Sequence, residues 1–536
     1  MPTKRFATQH CPVEWSYLSG QAYPDPGNEI ELDVVVTAPD GRVQRVPTFW
    51  AGDQEWRVRY APSITGRHRF RTECSDPGNP DLHGLEGVLE VAPYTGSNPL
   101  LRHGPLRVNA GRRHFEHADG TPFLWLGDTW WMGLTRRLSW PEEFQLLAAD
   151  RVQKGFNVVQ IVAGLYPDMP AYDPRGFNEA GHPWEAEYAR LNPAYFDMAD
   201  LRIQWLARVG LVPAVVGCWG YHLPWLGMER MKRHWRNLVA RWGAYPVVWI
   251  LAGEATMPYY LAEDKTAAAE FQRQGWTELA RYVREIDPYR HPLTLHPGDT
   301  ARNTVSDPTV LDYDMLQTGH GGAGSIPNTV KRVSLSRDAE PTLPVVNGEV
   351  CYEGILENSR EEIQRFMFWN NLLLGARGFT YGANGIWQLN QEGIPYGPSP
   401  HGASWGDTPW SVAYRLPGSG QLGIAKRFLE RYPWWRFECH PEWIEPHFTV
   451  DQNPSGHIAA GIPGQVRVIY FHQPIAPWSG LPIVKGLEAG SRYRVFWFDP
   501  KTGEERGLPE VSGGQGEWQV PMPATMADWV LVLERR

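Results

Sequence analysis

Pro246 to Leu251, PVVWIL, is an unbroken apolar run of β-branched and aromatic residues. A strand of that composition has to be covered on both faces, which is the situation of a parallel sheet wrapped in helices. This one segment therefore suits a layered α/β architecture around it. The run ends at Gly253-Glu254. The glycine lets the backbone leave the sheet and sets the carboxylate at the carboxyl end of a buried strand, where α/β sheets and barrels place their chemistry. A strand-end glutamate can also cap the next helix or face water. A second one in the same setting weighs against that reading, and Leu343 to Glu349, LPVVNGE, supplies it. Two carboxyl groups on one rim are the least a protein needs to cleave a glycosidic bond, one as acid and base and the other as nucleophile or water activator.

The rest of the middle of the chain repeats the strand-helix rhythm. FLWL at Phe123 to Leu126, Asn157 to Ala163 and Leu211 to Val216 read as strands before the opening segment. Pro292 to Leu295, Asp314 to Gln317, LPVVNGE and Gly378 to Tyr381 read as strands after it. Helical periodicity falls between them, with Ser139 and Glu142 as a capping box and Asn192-Pro193 as another helix start. Eight such units predict a (β/α)₈ TIM barrel with Glu254 at strand four and Glu349 at strand seven. Both flanks differ. Ile30 to Val91 and the segment from Glu442 onward carry short alternating runs such as EWRVRY and RYRVFWFD between turn clusters, the pattern of antiparallel β-sandwiches. The expected domains are an N-terminal β-sandwich over 1–95, the barrel over 96–437 and a C-terminal sandwich over 438–536. The expected fold class is thus α/β, a TIM barrel flanked by two β-sandwiches.

The 536 residues carry a net charge of −9 and no Lys/Arg cluster interleaved with aromatics, so nucleic acid is not an expected partner. Trp occurs 26 times, more often than Tyr or Phe, and many copies lie beside Gly, Pro or Asp, where flat rings can stack on sugars. Cys11, Cys74, Cys218, Cys351 and Cys439 are scattered and odd in number, without metal-ligand spacing, so neither a disulfide framework nor a zinc site is expected. The N-terminus has no apolar signal core and no stretch is long enough to span a membrane. The expectation is a cytoplasmic protein with no membrane contact, no metal or organic cofactor, and a small carbohydrate as its partner.

PFLWLGDTWW at Pro122 to Trp131, KGFNVVQIVA at Lys154 to Ala163 and the two strand-ending glutamates resemble the apiosidase-like glycoside hydrolases. The resemblance implies a barrel between an immunoglobulin-like domain and a sandwich once labelled collagen-binding-like. More broadly, the pattern is similar to retaining barrel glycosidases whose acid/base ends strand four and whose nucleophile ends strand seven. This implies those roles for Glu254 and Glu349. One position departs: such enzymes place Asn before the acid/base, and here it is Gly253. Polar and aromatic residues at other strand ends are candidate sugar contacts: Asp128, Trp130, Trp131, Gln160, Trp219, His222, His296, Gln317, His320, Tyr381 and Trp387. Two alternatives to a retaining, exo-acting hydrolase stay open at this level, an inverting glycosidase and a non-catalytic sugar-binding protein on a degenerate barrel.

Overall fold

The computed structural model describes residues 3–472, 481–523 and 525–536. Eight parallel strands form its centre: β1 (Trp125–Trp130), β2 (Val158–Val162), β3 (Val212–Val216), β4 (Val248–Ile250), β5 (Leu293–Thr294), β6 (Asp314–Gln317), β7 (Val345–Glu349) and β8 (Gly378–Tyr381). Hydrogen-bonded neighbours run β5-β4-β3-β2-β1-β8-β7-β6. The seam between β5 and β6 is closed beside the ladder. Asp312 N–H donates to Leu293 O at 2.9 Å, and Thr294 Oγ1 to Tyr313 O at 2.7 Å. Val248 to Leu251 are fully buried, as an apolar strand covered on both sides must be.

Seven helices surround the barrel: α1 (Glu142–Lys154), α2 (Pro193–Arg208), α3 (His222–Trp242), α4 (Lys265–Ile286), α5 (Ile326–Asp338), α6 (Glu361–Leu374) and α7 (Pro417–Leu429). The eighth expected helix is missing after β5, where only the 3₁₀ turns Ala301–Thr304 and Pro308–Val310 occur. Pro297, Gly298 and Pro308 fall in this connection, and each works against an uninterrupted helix. The predicted capping box is also shifted by one residue. The carboxylate that takes Ser139 N–H is Glu143, at 2.7 Å, rather than Glu142.

At the amino end, strands Thr3–Thr8, Glu86–Ala92, Gly66–Cys74, Leu32–Thr37 and Val43–Pro47 form one sheet. It packs on a second sheet of Val13–Leu18, Glu55–Tyr60 and Phe49–Gly52 around Trp15, Val34, Trp56 and Val58. A buried cluster ties this sandwich to the barrel. Asp200 of α2 accepts from Arg59 at 2.6 Å, from Arg241 at 2.8 Å and from Trp242 Nε1 at 2.6 Å. Burial works against the Asp200 charge, but Arg241 and Arg59 outweigh it and lower its pKa.

The carboxyl-terminal sandwich has a six-stranded sheet, ordered Glu438–Cys439, Ile458–Ile462, Val466–Phe471, Trp529–Arg535, Arg492–Phe498 and Glu505–Ser512. A three-stranded sheet faces it. One link to the barrel is Arg365 of α6, whose guanidinium grips Asp528 through two bonds of 2.8 and 2.7 Å. Below the barrel, a small sheet of Leu106–Val108, Phe115–His117 and Pro122–Phe123 presents Phe115 to Trp125 and Tyr313, which close the end where the strands begin. The five cysteines are all unbonded. No described helix is long and apolar enough to cross a membrane.

Candidate active site

Glu254 and Glu349 meet at the carboxyl ends of β4 and β7, on the wall of a cavity of about 270 Å³. Each is placed by its preceding glycine. A Cβ on Gly253 would sit 2.1 Å from the Trp219 ring, and one on Gly348 would sit 2.6 Å from the Met315 side chain. Only glycine fits against these neighbours, which gives a physical reason for the missing asparagine at 253. The Trp219 indole occupies that space, and its Nε1 lies 3.3 Å from Glu254 Oε2. Glu254 itself adopts a left-handed backbone with φ of 39°, a strained conformation for a residue with a side chain and one that concentrates at functional sites.

The two carboxylates share a donor. Gln317 Nε2, at the end of β6, is 3.3 Å from Glu254 Oε1 and 3.2 Å from Glu349 Oε1. Those two oxygens are therefore at most about 6.5 Å apart, where retaining enzymes hold their carboxyl groups at about 5 to 5.5 Å and inverting enzymes begin near 6.5 Å. Two histidines hold Glu349 from either side. His320 Nε2 is 2.8 Å from its Oε1 and His296 Nε2 is 3.2 Å from its Oε2. Each ring takes a backbone N–H at Nδ1, His320 from Tyr352 at 3.4 Å and His296 from Glu254 at 3.5 Å. That assigns the proton of both rings to Nε2, facing the carboxylate.

The environments drive the two acids apart. Burial and the charge of Glu349 push the Glu254 pKa up to about 7. Burial also disfavours the Glu349 charge, yet the hydrogen bonds of His296 and His320 outweigh it and hold this carboxyl well below the usual range. At neutral pH one carboxyl is poised to keep its proton and the other is ionised, the separation by which paired carboxylates take different catalytic roles.

Among the sequence candidates, Trp131, Trp219, Gln317, His320 and Trp387 line the cavity with the two glutamates. His296 lies one layer behind, fully buried between Trp131 and Glu349. Five candidates lie elsewhere. Side chains alternate along a strand, and on β1 the side that carries Asp128 and Trp130 faces the helices. Asp128 is buried against Arg151 of α1 at 2.6 Å and Trp130 Nε1 at 2.7 Å. The Trp130 ring meets Phe144 edge-on at 5.6 Å. Tyr381 faces the same layer and donates to the buried Glu353 at 2.5 Å. Gln160 points into the barrel but below the cavity, bonded to Gly348 O at 3.1 Å and to Thr380 at 3.2 Å. His222 is buried with its Nε2 3.2 Å from Tyr166 O, and burial holds its pKa down to about 3.

Other lining residues come from loops. Asp168 after β2 accepts a hydrogen bond from Tyr260 after β4, and Tyr352, His401 and Trp405 complete the wall. Tyr260 lies six residues beyond Glu254, where no periodicity singles it out. Asp168, His401 and Trp405 sit in irregular connections that carry no sequence pattern. Among the described residues, no three His, Cys, Asp or Glu side chains are grouped to hold a metal ion.

Comparison with known proteins places the fold and the family. The model of the family described as "Apiosidase-like, catalytic domain" matches residues 109–436, and a domain of unknown function, DUF5060, matches residues 7–75. No curated protein matches the chain significantly. Among solved structures, a putative glycoside hydrolase from Bacteroides vulgatus is similar over 99% of this chain and 100% of its own, at 18% identity and a TM-score of 0.69. A glycoside hydrolase family 5 protein from the same organism is similar over 82% of this chain and 94% of its own, at 22% identity and a TM-score of 0.63. A third structure, named only as a glycoside hydrolase, covers 82% of this chain and 98% of its own, at 23% identity and a TM-score of 0.62. These neighbours share the fold, and the family match spans more than half of the sequence: the chain belongs to the apiosidase-like family.

Proposed function

We propose that this chain is a retaining, exo-acting glycoside hydrolase that removes a terminal, uncharged sugar from a small glycoside or oligosaccharide. The observation that carries the reading is the carboxylate pair bridged by Gln317, close together and unequal in proton affinity. In the first step the ionised Glu349 attacks the anomeric carbon while Glu254 gives its proton to the leaving oxygen. In the second, Glu254, now a carboxylate, takes a proton from water as that water attacks the same carbon and frees Glu349. Once the ester has formed, the negative charge beside Glu254 is gone. Its pKa falls, but it retains enough basicity to activate water.

The lining supports a single closed sugar site. About 270 Å³ lies just under the roughly 300 Å³ at which typical ligand pockets begin, which suits one ring better than a polymer segment. Gln317 Oε1 and Trp387 Nε1 are buried without protein partners, and sugar hydroxyls are the natural complement of such atoms. Trp131, Trp219, Trp387 and Trp405 offer flat faces. A cytoplasmic setting, and with it an imported small substrate, is part of this reading and is supported by the five unbonded cysteines.

The charge of the cavity narrows the sugar. Asp168, Glu254 and Glu349 line it, and no Lys or Arg does. A carboxylate on the substrate would meet like charges in a confined space, at a cost of several kcal/mol. A set of nitrophenyl glycosides, including a β-D-apioside and a glucuronide, tests this. At least one neutral glycoside is expected to be cleaved, with kcat/KM about 100-fold or more above the glucuronide. Equal use of the glucuronide would overturn the charge argument. Binding of sugars without turnover of any substrate would favour a degenerate, non-catalytic barrel.

A further inference from the structure

The face of the barrel opposite the glutamates carries a second constellation. A crevice of about 460 Å³ opens where β7 and β8 begin, between the barrel floor and the first strand of the carboxyl-terminal sheet. Arg113, Arg337, Arg377 and Arg436 line it, against only two carboxylates, Asp338 and Glu438. Asp338 is already occupied, because Arg337 holds both of its oxygens at 2.7 Å. Among the described residues, Arg337 is the one guanidinium of the four that makes an ion pair.

Arg377 is the telling member. Its terminal nitrogens bond only to main-chain carbonyls, Phe437 O at 2.8 Å and Ala376 O at 3.3 Å, and its Nε is buried with no partner. Burial, together with Arg113 and Arg337, lowers its pKa to about 10, the direction expected of a cation lacking a counter-charge. A partly buried, unpaired guanidinium beside others is costly unless something negative sits against it.

We propose that this crevice binds an oxyanion of the phosphate class, free or as a monoester, lying across the joint between the barrel and the carboxyl-terminal sheet. Guanidiniums reaching in from separate elements match an anion with several acceptor oxygens and more than one negative charge. The crevice is also larger than a bare ion requires, which leaves room for the organic part of an ester.

Isothermal titration of the full chain at low ionic strength, with inorganic phosphate and separately with phenyl phosphate, tests the site against matched sodium chloride. Saturable binding is expected. Arg377→Gln and Arg436→Gln should each weaken it about tenfold or more, the loss of a charge-assisted hydrogen bond. Arg436 is exposed at the rim, so its variant should unfold at the wild-type temperature and keeps a folding defect apart from a binding defect. Binding of both probes in competition makes phosphate esters the ligand class, and binding of phosphate alone makes it the free ion. No saturable heat with either probe, or undiminished binding in both variants, would overturn the proposal.

Discussion

Glu349→Ala is expected to abolish turnover of every glycoside the protein accepts, with kcat falling by about 10⁵-fold or more, the scale on which removal of a covalent nucleophile acts elsewhere. The size follows from what remains in the cavity. Asp168 is held by Tyr260, and Glu353, four residues beyond Glu349, is buried under Tyr381 with its other oxygen on Gly418 N–H at 3.1 Å. Neither can take the place of Glu349 between His296 and His320. The variant should stay folded, since these histidines rest on backbone N–H groups at their far nitrogens. Steady-state kinetics on the best aryl glycoside, with circular dichroism to confirm folding, measures this. Near-normal activity would show that another carboxylate attacks.

Glu254→Ala should behave differently because its role depends on the leaving group. With an alkyl glycoside, whose leaving oxygen needs a proton, kcat/KM should fall by about 10²- to 10⁴-fold, the usual contribution of a positioned acid. With a dinitrophenyl glycoside the first step should largely survive, and added azide should speed the second and leave a glycosyl azide. The pH profile carries the same assignment. Glu254 acts in its protonated form and burial beside Glu349 sets its pKa near 7, so wild-type kcat/KM should fall as pH rises through about 7. Glu349 stays ionised throughout that range and contributes no fall there. The descending limb near 7 should vanish in Glu254→Ala. A limb that persists would assign it to another group.

The barrel was legible because buried parallel strands announce themselves as apolar runs. Both Gly-Glu strand ends could be found because a carboxylate after such a run has few places to go. What the sequence does not disclose is which way a strand-end side chain points. Asp128 and Trp131 are three residues apart and equally suggestive, yet Asp128 within β1 faces the helices and Trp131, just past its end, faces the cavity, a difference set by where the strand begins its alternation. The same limit applies to Gln160 and Tyr381. The Asp168–Tyr260 contact joins the loops after β2 and β4 across 92 positions, and no local pattern encodes a pairing at that distance. Gly253 is the instructive case. It departs from the resembled enzymes in sequence, and the Trp219 ring against its Cα supplies the reason that sequence alone lacks.

The central claim is that Glu254 and Glu349 act by double displacement, and the configuration of the first-formed sugar tests it most directly. Proton NMR, recorded within the first minutes of hydrolysis of a cleaved aryl glycoside and before mutarotation, reads the anomeric signal of the product. The account predicts that the anomer matching the substrate appears first and the other grows in only by mutarotation. First appearance of the opposite anomer would mean a single displacement by water and would contradict the assignment of Glu349 as nucleophile.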